Sequence, residues 1–274
     1  MTAIDSGIDT LAPVAGVSVT LADGVLSVTI DRPDSLNSVT TGVLAGIADA
    51  MEAAARDPRA AASMASAIPA STPVVTELRL SGISAEDASD ELATEIIVEA
   101  NRAIRAIVAL PRPVVAVVQG PAAGIGVSLA LACDLIVASD KAFFLLAFTK
   151  IGLMPDGGAS ALVAAAVGRT RAMRLALLAE RLSAADALEW GLISAVYPAE
   201  EFDAEVDKLL AGLLAGPAAA FAKTKHAINT ATLTELDATL DREYVGQSIL
   251  LNAHDFREGA RAFQERRSPN FTDC

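Results

Sequence analysis

The chain is poor in the residues that build covalent staples, metal centres and basic surfaces. Its two cysteines, Cys133 and Cys274, are far apart and offer neither a disulfide framework nor a CxxC metal site. That absence makes a reducing, cytoplasmic compartment the default expectation. Two histidines, His226 and His254, are too few for a histidine-rich centre, so no metal is expected. Basic residues number 21 against 34 acidic ones, and the net charge of −13 argues against nucleic-acid or anionic-membrane partners. The opening segment MTAIDSGIDTLAPVAG has no basic residue and does not resemble a signal peptide.

What the chain has is apolar mass. Hydrophobic residues make up 53% of its 274 positions although aromatics are only 4%, which is enough for a sizeable core and far from the composition of disorder. At about 150 residues per domain, the length fits one large domain or two small ones. The uncharged run 113–133 is long enough to raise the question of a membrane span. Gln119, Gly120, Pro121, Gly124 and Gly126 interrupt it. It reads instead as a buried strand at Val114–Val118, a tight turn, and a buried helix from near Gly126.

Residues 17–28 alternate apolar and polar side chains around Ala22-Asp23-Gly24, which predicts a hairpin. A helix capped by Thr40 or Thr41 is expected through Ala55, with Val43, Leu44, Ile47 and Met51 on one face. The charge-free stretch 60–74 yields no assignment, 74–80 reads as a strand, and 84–87 as the cap of a helix ending near Leu110. Strands are expected at 134–139, 143–147 and 192–196, with helices across 159–167 and 169–180 and one capped by Ser183. Beyond Pro198 everything reads as helix: 199–214, 216–230, 233–253 and 255–266. Alternating strands and helices followed by a helical tail predict an α/β core (1–197) with a C-terminal helical region (198–274).

Two turns could carry chemistry. In Gln119-Gly120-Pro121-Ala122-Ala123-Gly124-Ile125-Gly126, free backbone N–H groups at a helix start can hold an oxyanion, although a close-packing turn has the same composition. No Gly-Lys-Ser/Thr follows, so it is not a phosphate loop. In Ile151-Gly152-Leu153-Met154-Pro155-Asp156-Gly157-Gly158, Asp156 is either a turn or capping residue or an acid/base tuned by an apolar pocket. No Gly-x-Ser-x-Gly elbow or Cys–His pair is found, and Cys133 reads as inert core.

Several segments, in order, resemble the enoyl-CoA hydratase/isomerase (crotonase) superfamily. They are Asp31-Arg32-Pro33 with Asn37, PRPVVAVVQGPAAGIGVSLALACDLIVAS, AFTKIGLMPDGGAS and RLSAADALEWGLISAVYP. The resemblance implies a ββα spiral core with a C-terminal helical trimerisation region, and a homotrimer or dimer of trimers. It implies a coenzyme A thioester as substrate, with no tightly bound cofactor and an enolate oxygen held by two backbone N–H groups. One of these falls on Ile125, beside Gly124. The other falls on the loop TELRLSGISAED, at Ser81 or Ile83, where the family's usual pattern is missing.

The departures bear on the reaction. Family hydratases carry two glutamates; by motif position these fall on Ser128 and Phe148, neither of which is a base near neutral pH. AFTKIGLMPDGG is similar to the PaaG-like 1,2-epoxyphenylacetyl-CoA and enoyl-CoA isomerases, in which the matching aspartate is the acid/base; here it is Asp156. The resemblance thus implies an enoyl-CoA isomerase, with a weak hydratase or a catalytically silent acyl-CoA binder as alternatives. The tail HDFREGARAFQERRSPNF resembles the family's CoA-binding helix, which assigns Phe263, Arg266 and Arg267 to the cofactor moiety.

Overall fold

The computed structural model describes residue 8 and residues 11–30, 39–57, 62–67 and 90–273, with the backbone alone at 62–67 and 90–93. Strands β1 (Val17–Ala22) and β2 (Val25–Ile30) pair antiparallel, with Ala22 opposite Val25. The two-residue turn between them has positive φ at both Asp23 and Gly24, the mirror-image turn whose twist matches its strands. Helix α1 (Thr41–Arg56) is capped as expected: the Thr40 hydroxyl accepts from Val43 N at 3.3 Å, and Val43, Leu44, Ile47 and Met51 are buried.

Strand β3 (Ala62–Ala67) lies parallel between β2 and β4 (Val114–Val118), inside the stretch that the sequence left unassigned. ASMASA has little strand propensity of its own; the two flanking strands impose the conformation. The strand expected at 74–80 and the helix cap at 84–87 lie outside the described residues. Helix α2 (Asp90–Ala109) leads into β4. Next come β5 (Pro121–Ala123), α3 (Ile125–Ala132), β6 (Leu135–Ser139), β7 (Phe143–Leu145) and a 3-10 turn at Phe148–Ile151. Helix α4 (Ala159–Leu178) is broken at Gly168 (φ 77°), where two helices were expected. Strand β8 (Leu182–Ser183), α5 (Ala184–Trp190) and β9 (Ala195–Tyr197) follow, then α6 (Phe202–Leu214), α7 (Ala218–Thr232), α8 (Leu236–Leu251) and α9 (His254–Gln264). Strand β9 starts later than expected because Leu192 is still closing α5, its N–H donating to Ala187 at 2.8 Å.

The main sheet has the order β1-β2-β3-β4-β6-β9, parallel from β2 onward, and β5, β7 and β8 form a second small sheet. The chain crosses between the two more than once: β4 passes to β5, β6 to β7, and β8 to β9. Strand β4 is apolar throughout because both of its faces are covered. Val114, Ala116 and Val118 join the main core, which also takes in Leu240 and Leu251 of α8 and Phe256 of α9. Val115 and Val117 pack with Phe202, Val206 and Leu210 of α6 on the other side.

Helix α7 buries none of its own residues. Its Lys225 nevertheless reaches inward to pair with Asp134 at 2.9 Å, and donates to the carbonyls of Ile107 at 3.0 Å and Arg112 at 3.3 Å. Among the described residues no helix is long and apolar enough to cross a membrane.

Candidate active site

The two turns singled out in the sequence meet in space. In the first, part of what reads as turn is strand β5, which ends at Ala123, just before Gly124. Gly124 adopts φ 56°, ψ −129°, a conformation open to glycine, and its N–H is anchored to the Leu145 carbonyl at 2.9 Å. The chain then enters α3 with Ile125 as its first helical residue. An N–H at that position has no acceptor within the helix and sits at the positive end of the helix dipole. Helix α3 is apolar and almost wholly buried, so that end lies in a low-dielectric setting.

In the second turn, Gly157 and Gly158 both have positive φ (63° and 78°). A Cβ on Gly157 would lie 2.3 Å from Ile125 Cδ1 and 3.1 Å from Ser128 Cβ, so the turn rests directly on the first turn of α3. The Ser128 hydroxyl donates to the Asp156 carbonyl at 2.7 Å and ties the two together.

The Asp156 side chain is buried. Its Oδ2 accepts from Gln247 Nε2 at 2.8 Å, while Oδ1 has no hydrogen-bond partner among the described residues. Burial pushes the carboxyl up to about 7; the Gln247 hydrogen bond opposes that rise and the charge of Glu243 adds to it. Such a group exchanges a proton readily near neutral pH.

Helix α8 supplies partners that the sequence reading missed. Gln247 also donates to the Met154 carbonyl at 3.0 Å and accepts from Met154 N at 3.2 Å, clamping the turn. Glu243 accepts from Gly158 N at 2.6 Å and Ser160 N at 2.8 Å, capping α4 from outside. Thr239, Glu243 and Gln247 recur every four residues and are all buried. That polar stripe on a helix otherwise anchored by Leu236, Leu240 and Leu251 is the signal that could have found them.

Helix α9 braces the same segment from the other side. A Cβ on Gly259 would come within 2.6 Å of the Ile151 backbone, and one on Gly152 within 2.8 Å of the Asp255 backbone. The 3-10 turn beginning at Phe148 is thus wedged against α9 at backbone distance, and Phe148 itself is buried.

Residues 20–274 match the family model described as enoyl-CoA hydratase/isomerase. The chain belongs to this family. It is 36% identical to a probable enoyl-CoA hydratase of Rhodobacter capsulatus over 258 residues, covering 92% of this chain and 96% of the relative. It is 34% identical to the 1,2-epoxyphenylacetyl-CoA isomerase of Escherichia coli, covering 91% and 95%. A crystal structure of an enoyl-CoA hydratase from Mycobacterium avium subsp. paratuberculosis K-10 superposes with a TM-score of 0.85 at 66% identity, covering 95% of this chain and all of that one. The expected crotonase-type α/β fold, its C-terminal helices and its standing as an enzyme of the enoyl-CoA hydratase/isomerase family are therefore shown.

Of the expected site residues, the fold brings together Gly124, Ile125, Ser128 and Asp156. Ser81 and Ile83 lie outside the described residues. At the chain's other end, Phe263 is half exposed on α9, and Arg266 is exposed with no ion-pair partner among the described residues. Arg267 differs: its guanidinium is taken up by Glu258, at 2.9 Å on one nitrogen, and by Glu265. Among the described residues, the one carboxylate–histidine group dense enough to share a metal ion is His254, Asp255 and Asp273, on the surface. Its members are already bonded to one another, with Asp255 N donating to Asp273 at 2.8 Å.

Proposed function

We propose that this enzyme shifts the double bond of an enoyl-CoA thioester, using Asp156 as its single acid/base. The observation that carries the reading is the buried Asp156 carboxyl, which has one free oxygen and is held near neutral beside the start of α3. In this reaction Asp156 Oδ1 takes an α- or γ-proton from the acyl chain. The C–H electrons move into the thioester, and the resulting enolate oxygen is stabilised by the Ile125 N–H, with Ser81 or Ile83 supplying a second donor. Asp156 then returns the same proton to the other carbon. No water is consumed, so one carboxyl suffices.

Hydration by a pair of carboxylates is disfavoured at the positions where the family's hydratases carry them. Ser128 is committed to the Asp156 carbonyl, and Phe148 is a buried hydrocarbon. The other carboxylate near Asp156, Glu243, has each oxygen engaged by a backbone N–H. In the same reading Phe263 and Arg266 meet the CoA moiety, and Arg267 reaches it only by leaving Glu258. The exposed Ile228, Val245 and Ile249 of α7 and α8 support self-assembly, as a trimer or a dimer of trimers.

The test is incubation with 3-enoyl-CoA and with 2-enoyl-CoA while following the absorbance of the conjugated thioester. Conversion of the 3-enoyl substrate, abolished in Asp156→Asn, is expected. Loss of conjugation from 2-enoyl-CoA by net water addition, with no isomer formed, makes the protein a hydratase. No turnover of either substrate, with CoA esters raising the melting temperature, makes it a silent binder. Sedimentation showing only monomer rejects the assembly.

A further inference from the structure

Asp156 is aimed from a distance in sequence. Its turn could satisfy its own backbone in many ways, yet three of its polar groups are taken by one buried side chain. Gln247 donates to Asp156 Oδ2 and to the Met154 carbonyl, and accepts from Met154 N. One helical turn earlier, Glu243 spans Gly158 N and Ser160 N. Burial raises the Glu243 carboxyl above its ordinary range, and the N–H donors that both its oxygens receive at the start of α4 oppose that rise and favour the ionised form. A carboxyl held by two N–H donors and a fixed amide donor thus stand one helical turn apart beside Asp156. Glu243 is the one charged group acting on Asp156 among the described residues. Ile125 and Ser128, facing it from α3, carry no charge, while Arg242 acts on Glu243 itself.

We propose that Glu243 and Gln247, one turn apart on α8, are positioning residues that aim the Asp156 carboxyl and govern its protonation. Gln247 holds Oδ2 so that Oδ1 is left for the acyl chain, and its N–H favours the carboxylate. The Glu243 charge favours the acid. The two act in opposite senses, and their balance lets Asp156 both accept and return a proton at neutral pH. The inference rests on the acid/base role of Asp156 given above.

The experiment separates the two ideas. The Asp156 carboxyl is titrated in the free enzyme by infrared difference spectroscopy, with Asp156→Asn as the blank, and the pH dependence of kcat/KM is recorded alongside. Glu243→Gln keeps the side chain's shape and is expected to lower the infrared midpoint by about one pH unit; Gln247→Met is expected to raise it by about as much. The acidic limb of kcat/KM is expected to move with each. Midpoints that stay put, or that move in the same direction in both variants, overturn the proposal and leave α8 a mere scaffold. Midpoints that move apart while the kcat/KM limbs do not uphold the control of protonation and reject Asp156 as acid/base. Thermal melts check folding, and if Gln247→Met does not fold, the downward shift in Glu243→Gln decides alone.

Discussion

Replacing Asp156 by asparagine is expected to abolish isomerisation and, at the same time, to stabilise the fold. In the folded chain the carboxyl titrates at about 7 instead of its ordinary 3.8. Below the lower value both folded and unfolded chains are protonated, and the proton's stabilising effect is fully present. Between the two values the folded chain keeps a proton that the unfolded chain has lost, so stability falls as pH rises and the loss is complete above 7. At about 1.4 kcal/mol per unit, the full difference is about 4 kcal/mol. Between about pH 5.5 and pH 8 it amounts to about 2 kcal/mol. Asparagine does not titrate and keeps an acceptor for Gln247. The stability gap, variant minus parent, therefore widens by that amount over this interval, and taking the difference cancels the titration of the rest of this acidic surface. Urea denaturation of both proteins at the two pH values, followed through the single tryptophan, Trp190, measures it. A gap that is constant, or that narrows as pH rises, refutes the account of a buried carboxyl held near neutral.

Other outcomes follow from the same geometry. In the parent enzyme kcat/KM is expected to fall on the acid side of about pH 7, approaching tenfold per unit, because the free enzyme must present a carboxylate. Gly157→Ala places a Cβ 2.3 Å from Ile125 Cδ1 at a positive φ, and is expected to cost about 1–3 kcal/mol in denaturation and to lower kcat by displacing the oxyanion donor. Lys225→Met leaves the partly exposed Asp134 without its cation, and two carbonyls without a donor; a loss of about 1–3 kcal/mol is expected in the same denaturation assay, with the residual activity of folded enzyme little changed.

Elements whose own residues decide their conformation were legible in the sequence. The hairpin needed only Asp-Gly, α1 only its Thr40 cap and apolar face, and β4 its unbroken run of valines around one alanine. Strand β3 was not legible, because ASMASA becomes a strand through its neighbours, and β5 was hidden in a Gly-Pro turn that pairs only when β7 arrives. The site divides the same way. Gly124, Ile125 and Asp156 were singled out because they lie on turns at element junctions and match motif positions of the family that the sequence resembles. Glu243 and Gln247 did not, since a polar residue on a helix looks solvated until the fold shows that its face is buried. Arg267 shows the converse. Its charge reads as available in the sequence, and the fold spends it on Glu258 and Glu265.

The clamp on Asp156 has a consequence for biosynthesis. Gln247 follows Asp156 by 91 positions, and every strand of both sheets precedes it. A ribosome therefore releases the whole spiral, with both turns of the candidate site, before the helix that clamps Asp156 has left the tunnel. Until then the aspartate lacks its clamp and its cover, and is an ordinary acid. On the proposed role of Asp156, a nascent chain can fold its sheets early without becoming reactive early, and catalytic competence is expected to coincide with the docking of α8.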